Sequence, residues 1–143
     1  MKLDKTDGSA LQSSDYNSNY IANKAVDNIY NQNINQGAAC SHTLLGEDNW
    51  WQFTFDYDIL LYQVKIWTLY TYEPERLEDA EVQVSNEAAE SYELCGKVGD
   101  VTETSDPVYV TCSTLLRGRK IRINILSNPV IICEIDFYGV QDF

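Results

Sequence analysis

Few residues in this chain have the chemistry of a catalyst. His42 is the only histidine among 143 residues. A neutral imidazole can accept a hydrogen bond from a hydroxyl group while its other nitrogen donates one, although an isolated histidine is more often structural. A Ser-His-Asp or Cys-His arrangement is improbable here, and none of the 22 acidic residues falls in a recognisable glycosidase motif. We therefore expect a protein that binds a ligand and is not an enzyme.

The four cysteines are the second set of reactive groups. They are Cys40, Cys95, Cys112 and Cys133, and they contain no C-x-x-C pair. This spacing argues against a zinc site or thioredoxin-like chemistry. In a domain of this size they predict two disulfides, with three connectivities open and free buried thiols as the alternative. Because disulfides persist in oxidising compartments, we expect a secreted or extracellular protein.

The formal net charge of -12 argues against nucleic acid as the partner, because phosphate backbones are bound by clustered Lys and Arg. The same charge would repel an anionic membrane surface. No apolar run approaches the ~20 residues that a membrane-spanning helix needs. The acidity could serve cation binding, but a solubilising surface accounts for most of the carboxylates.

The pattern of apolar residues predicts an all-β fold in a single domain over residues 1–143. Apolar and polar residues alternate in several short segments, as in half-buried strands: 50–56, 60–70, 80–85, 108–112, 120–125 and 130–140. One short helical turn is predicted over 21–27 and another turn at 73–75. The polar stretch 3–20 disfavours regular elements, and 28–37 is typical of an exposed loop. These features favour a β-sandwich or barrel.

Seven short segments extend this prediction, because their order and spacing match one known family. They are Gln12-Ser13-Ser14, Ala25-Val26-Asp27, Cys40-Ser41-His42-Thr43, Trp50-Trp51-Gln52-Phe53, Glu75-Arg76-Leu77, Gly118-Arg119-Lys120-Ile121 and Cys133-Glu134-Ile135. Each is weak alone, but together they span nearly the whole chain. The sequence resembles the F-type lectins, the fucose-binding branch of the discoidin-like (coagulation-factor type C) domains. The resemblance implies a jelly-roll β-sandwich with disulfides Cys40–Cys133 and Cys95–Cys112.

The resemblance also implies a sugar site. His42 stands where these lectins keep their sugar-binding histidine, and Arg76 matches their second arginine. The rigid donor fork of a guanidinium suits two adjacent sugar oxygens. The alternative for Arg76 is a salt bridge with Glu75, Glu78 or Asp79 on a turn.

The sequence departs from the family pattern just before Arg76. Leu69 occupies the position of the first family arginine, and Tyr72 and Glu73 replace a pair of cysteines. Losing a hydrogen bond to a charged group costs about 1.5–3 kcal/mol. Tyr72 offers an apolar face where the family has a disulfide surface, so a weaker or altered sugar preference is as compatible with the sequence as ordinary fucose binding.

A structural Ca²⁺ is a further implication, because Asp27 and Glu134 match family carboxylates that bind one. The other ligands would be backbone carbonyls, those of Lys24, Ile29, Ala39 and Cys133, with Ala39 standing where a serine is usual. Ca²⁺ takes roughly six to eight oxygen ligands. The alternative is that Asp27 caps a turn and Glu134 is a solvated strand residue. We expect the ion, because the loop at 28–36 needs a fastening device and the sequence shows no other.

Two functional hypotheses follow from these residues. The first is an extracellular lectin module that binds fucosylated glycans or glycoproteins through His42, Arg76 and Tyr72, with Ca²⁺ stabilising the loops. The second is an adhesion or receptor module on the same fold that binds protein, in keeping with Leu69. A homo-oligomer would multiply weak single-site affinity in either case.

Overall fold

The computed structural model describes residues 1–32, 39–69, 73–86, 91–101 and 106–142. Two long antiparallel strands, β3 (Asn49–Trp67) and β6 (Val108–Ile125), pair along most of their lengths. The alternation predicted at 50–56, which continues at 60–70, forms a single strand whose two halves are separated by register shifts. Such bulges bend a strand without ending it. In the same way, β6 unites the strands predicted at 108–112 and 120–125.

The two long strands connect the layers of an antiparallel sandwich. The first half of β3 pairs with β1 (Gly8–Gln12) and its second half with β8 (Glu134–Gln141). On the other side of β6 lies β4 (Glu81–Asn86), which pairs in turn with β5 (Ser91–Lys97). The predicted all-β jelly roll is confirmed. Two short strands, given below, complete the fold.

Two of these strands escaped the sequence analysis. β1 lies in the polar stretch 3–20, which we expected to lack regular elements, and that expectation is wrong. Its backbone groups find partners on β3, so its side-chain preferences do not decide the outcome. β5 has no apolar alternation, since Cys95 is its only buried residue. Its register with β4 and a disulfide to β6 hold it in place.

The described parts of the chain contain two short 3-10 helices, Ala22–Val26 and Pro74–Leu77. The first confirms the turn predicted over 21–27. The second begins within the turn predicted at 73–75, where proline suits the first helical position because it lacks an N–H. Among the described residues, no helix is long and apolar enough to cross a membrane.

The core is centred on Phe137 of β8, whose side chain is fully buried. Its ring lies 6.4 Å from that of Trp51 and 5.4 Å from that of Phe53, measured between centroids. Because Trp51 and Phe53 belong to the first half of β3, these contacts pack one layer on the other. The indole N–H of Trp51 donates to the carbonyl of Ala22 at 2.9 Å, so the core also holds the first 3-10 helix.

All four cysteines are paired, and the pairing implied by the resemblance is confirmed. Cys95–Cys112 links β5 to β6, and Cys40–Cys133 links residues that are 93 positions apart. In the chain-entropy model such bridges contribute roughly 3–5 kcal/mol each. The long bridge joins the residue before β2 (Ser41–His42) to the residue between β7 (Ile131–Ile132) and β8.

We predict that Phe137→Ala destabilises the protein by about 3–5 kcal/mol, because it leaves a cavity between the two layers. Urea unfolding followed by circular dichroism measures the change. Val140→Ala on the same strand is the matched control, since Val140 is 45% exposed. A Phe137→Ala variant no less stable than the control would contradict this account of the core.

Candidate functional site

His42 lies on the two-residue ladder between β2 and β7, directly beside the Cys40–Cys133 bridge. Its backbone also fixes the preceding loop. The N–H of Tyr16 donates to the His42 carbonyl at 2.8 Å, and the His42 N–H donates to the Tyr20 carbonyl at 3.2 Å. The backbone of His42 therefore connects the polar segment around Tyr16 to β7.

The imidazole of His42 is buried and neutral. Its Nδ1 lies 2.7 Å from the carbonyl oxygen of Thr43. A carbonyl only accepts, so Nδ1 carries the proton and Nε2 is left as an acceptor. Burial lowers the pKa of His42, and the positive charge of Arg76 lowers it further against the opposing effect of the Thr43 carbonyl. The ring of Tyr16 lies over the imidazole at a centroid distance of 4.5 Å.

Arg76 reaches the site from the second 3-10 helix. Buried Pro74 and Leu77 anchor that helix, which leaves Arg76 partly exposed. Its guanidinium forms an ion pair with Glu73, the residue just before the helix. The expected alternative of a salt bridge is thus correct in kind, but its partner is Glu73 and not one of the three carboxylates we had considered.

His42 and Arg76 line one cavity of about 450 Å³. The sequence analysis missed its other lining residues: Tyr16, Tyr20, Thr43, Leu44, Leu45, Asn128 and Pro129. One signal was visible beforehand. Leu44 and Leu45 are a large apolar pair in a polar stretch directly after the Cys-Ser-His-Thr motif, and both are at least half exposed. Tyr16 and Tyr20 gave no such signal, because both lie more than 20 residues before Leu45 in the sequence.

Leu69 is not part of the cavity. It is 2% exposed and packs in a small apolar cluster with Cys40, Cys133 and Ile131, against Ala39. An arginine at this position would have to leave that cluster to reach a ligand. Tyr72, the third predicted sugar-binding residue, lies outside the described residues, so its role stays a prediction.

The two predicted calcium carboxylates lie together. Glu134 is fully buried, and its Oε1 has no hydrogen-bond partner among the described residues. Burial raises the pKa of Glu134 to about 7; Lys5 and the Asn28 N–H oppose the shift, and the adjacent Asp27 carboxyl adds to it. The alternative of a solvated Glu134 is wrong, whereas Asp27 does cap a turn by accepting the Ile29 N–H at 3.0 Å.

These residues fit a hard cation, because an orphaned carboxylate oxygen beside a second carboxylate is an environment that a divalent ion neutralises. The described residues hold no group of three or more His, Cys, Asp or Glu that could bind a metal. An ion here would therefore depend on carbonyl oxygens as well. The carbonyls of Lys24, Ile29, Ala39 and Cys133 remain predicted ligands.

A network of Lys5, Glu134 and Asp136 holds the segment that begins at Asn28, and it was not predicted from the sequence. The ammonium of Lys5 is buried and bonds both Glu134 and Asp136, the latter at 2.7 Å. The hydroxyl of Tyr30 donates to Asp136 at 2.9 Å, and the N–H of Asn28 donates to Glu134 at 3.1 Å. Asn28 adopts a left-handed conformation (φ 63°) as the chain turns there. Asn28 and Tyr30 are thus attached to β8 through a lysine–carboxylate network.

The family model for the F5/8 type C domain matches residues 9–135. The chain belongs to the F5/8 type C domain family. The resemblance to the discoidin-like domains is thereby confirmed. No curated protein sequence matches this F5/8 type C domain significantly.

Solved structures share the fold of this F5/8 type C domain. An f-lectin (fucolectin) from striped bass (Morone saxatilis) serum aligns with a TM-score of 0.86 and 20% identity over 98% of this chain, which spans about half (49%) of that protein. A Streptococcus pneumoniae fucose binding module aligns with a TM-score of 0.80 and 22% identity, covering 99% of this chain and 96% of that one. The lectin domain of lectinolysin, complexed with Lewis B antigen, aligns with a TM-score of 0.76 and 18% identity, covering 95% and 96%. At these identities the likeness establishes the fold.

We predict that Leu69→Arg destabilises the protein by about 3 kcal/mol or more, because it places a charge in the cluster around Cys40–Cys133. Leu69→Met is the matched control and should cost less than about 1.5 kcal/mol. Chemical unfolding of both variants measures the difference. Equal stabilities would show that this position opens to solvent.

Proposed function

We propose that this F5/8 type C domain is a lectin module that binds neutral sugars of the fucose type and catalyses no reaction. The observation that carries the proposal is the single cavity shared by His42 and Arg76. It combines an acceptor, the imidazole Nε2, with the donor fork of a guanidinium. A sugar hydroxyl both donates and accepts, so this pair suits adjacent hydroxyl groups.

The apolar part of the cavity supports a sugar ligand as well. Tyr16, Leu44 and Leu45 are all exposed and line the same space. Sugar rings present C–H faces as well as hydroxyl groups, and burying such surface contributes roughly 25 cal/mol per Å². A methyl-bearing sugar such as fucose gains most from this lining.

The described cavity residues argue against turnover. A glycosidase needs two carboxyl groups about 5–9 Å apart across the scissile bond. Among the described residues that line the cavity there is no aspartate or glutamate. We accordingly assign binding alone.

The similar structures give independent support, since they are a fucolectin, a fucose binding module and a lectin domain complexed with Lewis B antigen. The two disulfides favour a secreted or extracellular setting. In that setting, the proposed partners are fucosylated glycans or glycoproteins. A protein ligand is the second candidate. The burial of Leu69 favours it, because Arg76 is then the one arginine among the described residues that line the cavity.

The test is a glycan array followed by titration calorimetry with the strongest ligand. We expect retention of fucosylated glycans, with His42→Ala and Arg76→Ala each lowering affinity about tenfold or more. Arg117→Ala is the matched control, since Arg117 is exposed and does not line the cavity. An array without any bound glycan would remove the lectin function and favour a protein ligand.

The pH dependence of binding follows from the lowered pKa of His42. Affinity should stay constant from pH 8 to about 6.5, the ordinary histidine pKa, and fall only in more acidic solution. There the imidazolium can no longer accept a hydrogen bond and repels Arg76. Folding stability loses its His42 contribution over the same acidic range, since the unfolded chain binds the proton first. Calorimetry with circular dichroism at each pH separates the two effects, and a loss of affinity already at pH 7.5 would contradict the assignment.

We further propose that Ca²⁺ binds between Asp27 and Glu134 and stabilises the loop of residues 28–36. The buried, unpartnered Oε1 of Glu134 is the observation that supports it. The ion would supply positive charge to both carboxylates. Lys5 neutralises the other side of Glu134, so we expect the ion to add stability to a loop that is already tied down.

Calcium removal should therefore lower the melting temperature without unfolding the protein. At a free Ca²⁺ concentration of 100 times Kd, binding adds about 2.7 kcal/mol. Asp27→Asn should reduce the response while preserving the cap to the Ile29 N–H, since an amide oxygen also accepts. Calorimetric melting with Ca²⁺ and with chelator measures this, and identical melting curves would rule the ion out.

A further inference from the structure

Glu73 has a backbone conformation that its residue type disfavours. Its φ and ψ are 45° and 51°, in the left-handed region. This conformation is unfavourable for a residue with a Cβ but not for glycine. Such strain persists where the surroundings over-determine it, and it clusters at functional sites. The side chain of Glu73 forms an ion pair with Arg76 of the cavity, so this strained residue contacts the candidate site.

From this geometry we infer that Glu73 is a specificity-determining residue, which orients Arg76 and cancels its charge so that the cavity accepts neutral sugars and rejects sialylated or sulfated ones. The inference rests on the proposed lectin function and deepens it. Glu73 is a positioning residue: it acts on the ligand through Arg76 and does not itself line the cavity.

The charge balance of the cavity supports this role. An unpaired guanidinium beside a cationic histidine would attract carboxylate and sulfate groups. Here the imidazole of His42 is neutral, and Glu73 supplies a compensating negative charge next to Arg76. The cavity then offers hydrogen bonds without a net positive charge.

The charged residues of a neighbouring cavity also disfavour anionic glycans. A second cavity of about 760 Å³ shares Asn128 with the first. Its charged lining residues are Glu75, Glu78, Asp79, Glu81 and Lys97. Like charges placed together disfavour association. A glycan that extends from the first cavity across Asn128 thus meets a negative potential.

The experiment that tests this inference measures the affinities of the Glu73→Gln variant and of the original protein for two matched glycans. One glycan is neutral and fucosylated, and the other carries an added sialic acid or sulfate. We expect the original protein to prefer the neutral glycan by about tenfold or more, and Glu73→Gln to narrow this ratio about fivefold. Glu93→Gln on β5 is the matched control, because it removes the same charge at an exposed position outside both cavities.

Two further measurements separate a specificity role from a structural one. Without ligand, NMR titration should show a lower pKa for His42 in Glu73→Gln, since the negative charge of Glu73 no longer offsets part of the charge of Arg76. Glu73→Gly should melt roughly 2–4 °C higher, because glycine relieves the left-handed strain, and yet should lose selectivity as Glu73→Gln does.

The outcomes are distinguishable. The Glu73→Gln variant could show the same preference for neutral over anionic glycans as the original protein, and the same His42 pKa. If the original protein binds neutral glycans, this result leaves the lectin function standing and overturns the role of Glu73. Equal binding of neutral and anionic glycans by the original protein also overturns it. If no glycan binds at all, the proposed function is wrong and the selectivity inference is overturned with it.

Discussion

The Cys40–Cys133 bridge, together with the two-residue ladder beside it, holds the functional end of this F5/8 type C domain in place. β2 is only two residues long, and an isolated pair of such strands has little stability of its own. The disulfide removes much of the entropy of bringing residues 93 positions apart together. Once β2 is fixed against β7, the backbone of His42 has partners for both its N–H and its carbonyl. The segment that contains Tyr16 and Tyr20 is then ordered over the imidazole.

The same end of the molecule solves two electrostatic problems in different ways. In the cavity, burial keeps His42 neutral and an acidic neighbour compensates Arg76, so hydrogen-bonding groups are present without excess charge. At Lys5, two buried carboxylates face the ammonium group, and one oxygen of Glu134 has no hydrogen-bond partner within the described part of the chain. Burying a carboxylate is tolerable only when its charge is paired. Lys5 therefore pairs with the same two carboxylates that accept hydrogen bonds from Asn28 and Tyr30.

Local patterns predicted some elements well and others badly, for identifiable reasons. The alternation at 120–125 correctly identified Ile121, Ile123 and Ile125 as core residues, because one face of the strand is buried and the other is not. β1 and β5 carry no such pattern and become strands through backbone pairing with neighbours distant in sequence. The two halves of β6 were predicted as separate strands, because a bulge and a turn both interrupt the alternation.

The sequence alone determined the class of fold, the family, the disulfide pairing by resemblance, and the two groups that lie at the cavity, His42 and Arg76. These are properties of residue type and spacing, which survive without coordinates. The tertiary structure decided which residues surround those groups. Tyr16, Leu44 and Asn128 meet in one cavity, Lys5 reaches β8 across 129 positions, and Glu73 pairs with Arg76. Such contacts depend on how loops fold back across the sandwich. Loop conformation is set by long-range partners that local sequence does not encode.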